Sequence, residues 1–341
     1  MPNLEYKPIR LLNLGLTESW RTQAVYHAVA ELMQADSPDT IIICRPQTPY
    51  LCLGYHQIYD ATFDRAECER RQLPVYRRKL GGGATYLDAN QLFYQCVFHH
   101  SRVPVLLKEI YRRFLAAPVA TLRRLGFDAT LRDLNEVEAE GKRIAGIGGG
   151  RIGEAAVVVG NILFDFDYAA MAQVWNAPSQ SFRKLAAQTL QEHVTTLALL
   201  NAKVSMAEVE SVLIEEFANC LQRPVIAGAL TAAEETHARK MARRMTSAEY
   251  LNMHCENGRV APMDSLKIAA NIFIRATEVQ VNGRIIRATF CLRHDFINKA
   301  LIESIPAHNW QKAESILQGI PFREWEKYFC GYALRAQLDE L

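Results

Sequence analysis

The chain has 341 residues, 49% hydrophobic and 22% charged, an ordinary globular balance. That length suits two domains, or one large domain with an appendage, better than a single small core. A net charge of +2 argues against a dedicated nucleic-acid binder, and the longest apolar runs are strand-sized, far short of the roughly 20 residues that a membrane helix needs.

The opening residues carry the acid Glu5 and no apolar stretch, so no signal peptide is expected and a cytoplasmic protein is. Residues 17–36 read as a helix, because Trp20, Ala24, Val25, Ala28, Val29 and Leu32 recur at helical spacing before Ser37-Pro38. Short strands are expected at 40–44 and 50–54, a charged helix around 64–71, and strands at 75–78 and 91–98. Helical spacing returns at 105–125, with Pro118 expected to kink or break that helix. Residues 137–139 and 143–145 flank Glu140-Gly141 as a hairpin, and a long strand is expected at 155–166. Helices, including 206–221 and 232–245, fill most of 168–252.

Near residue 252 the pattern turns to strands at 266–275, 277–281 and 284–292, the last two joined by Asn282-Gly283. Helical segments near 297–303 and 309–319 are expected to finish the chain. Eight cysteines, at 44, 52, 68, 96, 220, 255, 291 and 330, form no Cys-x-x-Cys pair, which favours buried reduced thiols over a zinc site or disulfides.

Three segments could carry chemistry. In the first, Arg77-Arg78-Lys79-Leu80-Gly81-Gly82-Gly83-Ala84-Thr85-Tyr86, bare backbone N–H groups follow two guanidiniums able to hold a phosphate or carboxylate. Taken alone, a tight turn with solvated arginines explains it better. The second opens at Asn135-Glu136 and runs through Gly141-Lys142-Arg143-Ile144-Ala145-Gly146 to Gly148-Gly149-Gly150. A cation beside a glycine-rich turn could neutralise charge on an acyl phosphate, but most such stretches are exposed basic hairpins. The third, Val159-Gly160-Asn161 through Asp165-Phe166-Asp167, is alone best explained as a core strand ending in surface acids.

In this order and separation the three segments resemble the lipoate–protein ligases, of the biotin/lipoate ligase superfamily. Arg77, Arg78, Gly81, Gly82, Gly83, Ala84, Thr85, Tyr86 and Asp88 match the family's Arg-Arg-x-(Ser/Thr)-Gly-Gly-Gly-Ala motif and its continuation. Asn135 opens the second motif, Ile144-Ala145-Gly146 ends it, and Gly160 takes the glycine of the third. Arg45-Pro46 and 53–57 resemble the upstream strand pair, 184–197 the lysine-bearing stretch ending Val-Thr-Thr-Leu, and 262–341 the small accessory domain.

The resemblance implies an α+β fold. A mixed, mainly antiparallel sheet flanked by helices would form the ligase domain (1–230), followed by a helical connector (231–261) and a small α/β accessory domain (262–341). It also implies activation of lipoate or octanoate by ATP with Mg2+ to an acyl-adenylate, then transfer to a lysine of a lipoyl carrier protein, by a protein plausible as a monomer. Arg77, Arg78, Gly81, Gly82, Gly83, Ala84, Asn135, Gly146 and Gly160 would bind the adenylate and acyl head. About five methylenes buried in an apolar slot would contribute roughly 4 kcal/mol.

The family's catalytic lysine position holds Arg143, with Lys142 one place earlier. A planar guanidinium does not replace an ammonium freely, and neighbours on a strand face opposite ways. Leu87 and Val159 stand where the family has histidines, Asn90-Gln91 replaces Gly-Asn, and Glu136 replaces Asp. A ligase with an altered site leads, ahead of a non-catalytic acyl- or carrier-binding protein. An octanoyltransferase needs a thiol at the site, and none lies between Cys96 and Cys220; a biotin ligase needs a Gly-Arg-Gly-Arg-type loop, which is absent. His99-His100 is expected to cap a strand rather than bind metal. Arg239, Lys240, Arg243 and Arg244 are expected on a solvated helix face, and His294-Asp295 in a polar loop.

Overall fold

The computed structural model describes residues 7–201, 203–254, 263–281, 283–305 and 307–336. In chain order it begins with β1 (Ile9–Thr17), α1 (Ser19–Glu31), β2 (Thr40–Pro46) and β3 (Tyr50–Leu53). Then come α2 (Tyr59–Thr62), α3 (Arg65–Arg70), β4 (Val75–Arg77), β5 (Thr85–Leu87), β6 (Gln91–His99) and α4 (Leu107–Arg124). The middle holds β7 (Ala129–Arg132), β8 (Glu136–Ala139), β9 (Lys142–Arg143), β10 (Ile147–Ile152) and β11 (Ala155–Leu163). Next are α5 (Tyr168–Val174), α6 (Gln180–His193), α7 (Met206–Leu221), β12 (Val225–Ala227), α8 (Ala232–Met245) and α9 (Ala248–Leu251). The remainder is β13 (Ser265–Ala269), β14 (Ile272–Val281), β15 (Arg284–Arg293), β16 (Phe296–Ile305), α10 (Gln311–Leu317) and α11 (Trp325–Ala336).

The chain divides into two compact units. One comprises Met1–Tyr59, Cys68–Asp167 and Val194–Gly258, the other Asp60–Glu67, Tyr168–His193 and Arg259–Leu341. The first is built on a six-stranded sheet, β10-β11-β6-β2-β1-β12. Its β2–β1–β12 portion is parallel and the rest antiparallel. One face packs on α1 and α8, where Ala24, Val25, Ala28 and Val29 meet Ile42, Phe93, Val97, Val157, Ala238, Met241 and Met245. On α4 and α7, Phe114 meets Phe98 with ring centroids 4.7 Å apart, and Phe217 meets Tyr94 at 5.7 Å. Smaller sheets, β4-β3-β5 and β7-β8-β9, carry the arginines and the Lys142–Arg143 hairpin.

The helix expected as a connector, α8, therefore belongs to the first unit's core. Its N-terminus is fixed by a capping box: Thr231 Oγ1 accepts the Glu234 N–H at 3.2 Å, and Glu234 accepts the Thr231 N–H at 2.8 Å. Glu234 also takes both terminal nitrogens of Arg10 on β1, at 3.0 and 2.6 Å. The second unit is a four-stranded antiparallel sheet, β13-β14-β15-β16, with Phe290, Trp310, Trp325 and Phe329 in its core. Residues 168–193, taken with the ligase domain from sequence, cluster in this unit.

The Glu140-Gly141 turn forms as expected, with φ of 51° and 74°, the positive pair of a type I′ hairpin. Asn282 lies outside the described residues, and Gly283 beside it has φ 77°. Several elements differ from expectation. Pro118 does not break α4, which runs on with Phe114, Leu115, Val119 and Leu122 buried. Residues 296–305 are a strand rather than a helix, hydrogen-bonded along β15. The strand expected at 266–275 turns back at Ala270-Asn271, where Asn271 has φ 59°. Strand β1 and helix α11 were not anticipated, and Gly148, Gly149 and Gly150 lie within β10.

Candidate active site

The arginine pair is inside the protein. Arg77 has no exposed surface. Its guanidinium donates to the carbonyls of Gly54 (3.1 Å), Tyr55 (2.8 Å), Gln57 (2.6 Å) and Leu251 (2.5 Å), fixing the turn after β3 to the end of α9. Arg78, 7% exposed, donates to the carbonyls of Gly81 and Gly83, both at 2.8 Å. The sequence placed these guanidiniums against an anion; here both are turned onto main-chain oxygens. The consequence lies in the loop. With two of its carbonyls drawn back by Arg78, no hydrogen bond among the described residues takes up the N–H of Gly81, Gly82 or Gly83. Partly exposed, unpaired N–H groups in a tight loop make an anion nest.

Main-chain approach explains the glycines around this loop. A Cβ on Gly54 would stand 2.0 Å from the Gly82 carbonyl oxygen, and one on Gly150 3.3 Å from Leu80. A Cβ on Gly148 would lie 3.4 Å from Val159 and 3.9 Å from the Gly81 oxygen. Alternate residues of β10 face opposite ways. Gly148 and Gly150, with Val159 opposite Gly148 in register, thus face the loop. Gly149 faces away, where its Cβ would meet the Tyr111 hydroxyl at 2.7 Å. Gly160, paired with Ile147, is filled by Tyr94, whose hydroxyl would be 2.3 Å from a Cβ there. Gly160 thus serves packing on the far face, and Val159 is the residue of that motif turned to the loop.

Two amides tie the three motifs together, both named in the sequence reading but neither given a site role. Asn161 Oδ1 accepts the Gly146 N–H at 2.5 Å, and Asn161 Nδ2 donates to Gln91 Oε1 at 2.7 Å. Gln91 Nε2 then donates to the Tyr86 carbonyl at 3.1 Å. Gln91 is fully buried and Asn161 nearly so.

On the hairpin, Lys142 pairs with Ala139 and is exposed, while Arg143 pairs with Glu138 and is partly enclosed. Arg143 Nε donates to the Ala145 carbonyl at 2.9 Å, and its own carbonyl accepts the Thr195 N–H at 2.8 Å. The Val-Thr-Thr-Leu segment thus braces this strand. Burial lowers the Arg143 pKa from its ordinary value, and the Glu136 carboxylate opposes that shift.

Behind Lys79 stands a residue the sequence did not flag. His27, fully buried on α1, donates from Nδ1 to the Gln23 carbonyl (2.7 Å) and accepts the Lys79 N–H at Nε2 (2.9 Å). Burial pulls its pKa down to about 4, so it anchors the loop as a neutral ring. Lys79 and His237 both pair with Glu31. A cavity of about 610 Å3 opens here, lined by Tyr55, His56, Lys79, Arg151, Gly153, Arg244, Glu249, Tyr250 and Met253 among others. Its charged wall suits the polar part of a ligand, not an alkyl chain. Arg244 is exposed, as are Arg239, Lys240 and Arg243, in keeping with the solvated face expected, and it also lies over the Tyr250 ring at 5.0 Å. Arg239 lies over Trp20 at 5.8 Å. His294 and Asp295, both at positive φ, form the β15–β16 turn.

The family model of the lipoyl protein ligase A/B catalytic domain matches residues 18–218, and the chain belongs to that family. It is 29% identical to the octanoyltransferase LipM of Kyrpidia tusciae, over 71% of this chain and 97% of that protein. A bipartite lipoate protein ligase from Thermoplasma acidophilum, studied with its E2 lipoyl domain, superposes with a TM-score of 0.67 at 25% identity, covering 75% of this chain and all of that one. A lipoate-protein ligase A bound with ATP shares the fold, with a TM-score of 0.62 at 23% identity, over 73% of this chain and all of that one. Lipoate ligase or octanoyltransferase chemistry is therefore the activity class. Among the described residues, no helix is long and apolar enough to cross a membrane.

Proposed function

We propose that this protein is an ATP-dependent lipoate (or octanoate) ligase whose acceptor is a lysine on a lipoyl carrier domain. The observation that carries this is the row of unpaired N–H groups at Gly81, Gly82 and Gly83, held open by Arg78 and facing the β10 glycines. An acyl carboxylate would attack the α-phosphorus of ATP, forming a C(O)O–P bond and releasing pyrophosphate. The loop N–H groups would hold the phosphate oxygens, and Arg143 would offset the charge that develops. The carrier lysine, as free amine, would then attack the acyl carbonyl; AMP leaves and an amide forms. Arg77 would fix the turn after β3 against which the loop packs, and Lys142 would remain in solvent.

Magnesium would accompany ATP as its counter-ion. The second unit would serve as the accessory domain. Buried thiols fit a reducing cytoplasm.

The likeness to LipM favours a second possibility, octanoyl transfer through a cysteine thioester. The described thiol in contact with the loop's arginine is Cys52, 3.4 Å from an Arg78 nitrogen but only 1% exposed. Cys96, also fully buried, has its thiol pKa raised by that burial. The test offers a lipoyl domain either octanoate with ATP or an octanoyl carrier thioester without it. Modification that requires ATP and survives Cys52→Ser is expected. Modification from the thioester alone, lost in Cys52→Ser, would establish transfer instead, and acyl binding without modification would mark a non-catalytic protein.

A further inference from the structure

At the turn of the β10–β11 hairpin, Glu154 meets two donors from the end of β6 and the 3-10 turn that follows it. His99 Nε2 and His100 Nδ1 lie 3.9 and 3.2 Å from Glu154 Oε2, and all three donor atoms fall within 4.8 Å of one another. We infer that His99, His100 and Glu154 form a binding site for a divalent transition metal of the zinc class. Ligands on a tetrahedral zinc stand roughly 3.4 Å apart for bonds near 2.0–2.2 Å, so His100 Nδ1 must also give up its 3.1 Å contact with the Glu154 carbonyl to ligate.

The main chain sets this arrangement before any ion arrives. Ala155 pairs with His99 in the β11–β6 ladder, and the His100 N–H donates to the Glu154 carbonyl at 2.9 Å. His99 Nδ1 is held by Ser101 Oγ at 2.7 Å, the outer-shell bond that leaves Nε2 as the ligating nitrogen. Ligation through Nε2 requires the tautomer in which Nδ1 donates to Ser101 Oγ, and it replaces the cap in which Nδ1 accepts the Ser101 N–H, the role expected from sequence; Glu154, 55 residues away, is the partner that chain order conceals.

Arg151 competes for this site. Its guanidinium lies 3.3 Å from Glu154 Oε1 and 3.5 Å from His100 Nδ1. A metal ion would take Glu154 from Arg151, releasing a guanidinium that also lines the cavity beside Lys79. The ion would thereby clip the hairpin turn to β6 and change the charge available at the cavity mouth.

The experiment titrates the full-length protein with Zn2+ against a chromophoric chelator and repeats the titration with Co2+, read by its visible absorption. One equivalent is expected in wild type, with affinity reduced at least tenfold in His100→Ala and in Glu154→Gln. Both residues are exposed enough for the variants to fold, and circular dichroism checks that. Arg151→Ala is expected to tighten binding several-fold. Equal affinity in wild type and a His100→Ala/Glu154→Gln double variant, or weaker binding in Arg151→Ala, would overturn the assignment.

Discussion

Gly54→Ala is the sharpest probe of the loop. Gly54 does not need a left-handed backbone, so alanine brings a purely steric demand. Its Cβ would lie 2.0 Å from the Gly82 oxygen and 3.1 Å from the Gly82 carbonyl carbon, whereas real Cβ atoms essentially never come within 3.0 Å of a neighbour. The obstacle is main chain, held by Arg78 on either side of Gly82, so the loop must retreat by about 1 Å or the β3 turn must open. A displacement of about 1 Å in groups that position a reacting atom costs on the order of 100-fold in rate, while overpacking costs about 1–3 kcal/mol of stability. The assay is acid-dependent pyrophosphate release from ATP, with thermal unfolding alongside. A folded Gly54→Ala protein with a wild-type rate would refute the claim that the Gly81–Gly83 loop holds the reacting phosphate.

Asn161→Ala removes the centre of the amide chain and leaves the Gly146 N–H and the Gln91 side chain without that partner. Urea unfolding is expected to show a loss of about 1–3 kcal/mol, and an unchanged midpoint would contradict the network's role. His27 gives a pH signature. Its folded pKa of about 4 lies below the 6.5 of a free imidazole, so as pH falls the unfolded chain binds this proton first. The associated stability is complete above pH 6.5 and is lost as pH drops toward 4, about 3 kcal/mol in all. Urea melts at several pH values should show that part of the slope vanish in His27→Gln; an identical slope in both proteins would be evidence against it.

Much of this architecture could be read from residue order. Helices α7 and α8 and the Glu140-Gly141 hairpin announce themselves through local periodicity and turn chemistry, and the three motifs point to the family in combination. What escaped was non-local or ambiguous in period. In β16 the apolar residues Phe296, Ile297, Ala300, Leu301 and Ile302 fit helical spacing as well as a half-buried strand. Gly148, Gly149 and Gly150 carry no side chains to alternate, and their strand is set by Leu80 on one face and Tyr111 on the other. The mid-helix proline was overridden by packing along α4. In the site, arginines followed by glycines suggested guanidiniums reaching a ligand. Only the folded chain reveals them gripping carbonyls: the Arg77 acceptors at 54–57 and 251 are remote in sequence, while Arg78 turns back onto Gly81 and Gly83 of its own loop. Gln91 and Asn161 were unremarkable for the same reason, being 70 residues apart.

The most direct measurement is formation of acyl-adenylate from lipoate and ATP in a single turnover, comparing wild type, Arg143→Ala, Arg143→Lys and Lys142→Ala. Because Arg143 is enclosed beside Glu136 and Lys142 is exposed, Arg143→Ala should lose the adenylate by two orders of magnitude or more. Arg143→Lys should retain part of it, and Lys142→Ala should match wild type. Full adenylate formation in Arg143→Ala, with loss in Lys142→Ala, would contradict the account.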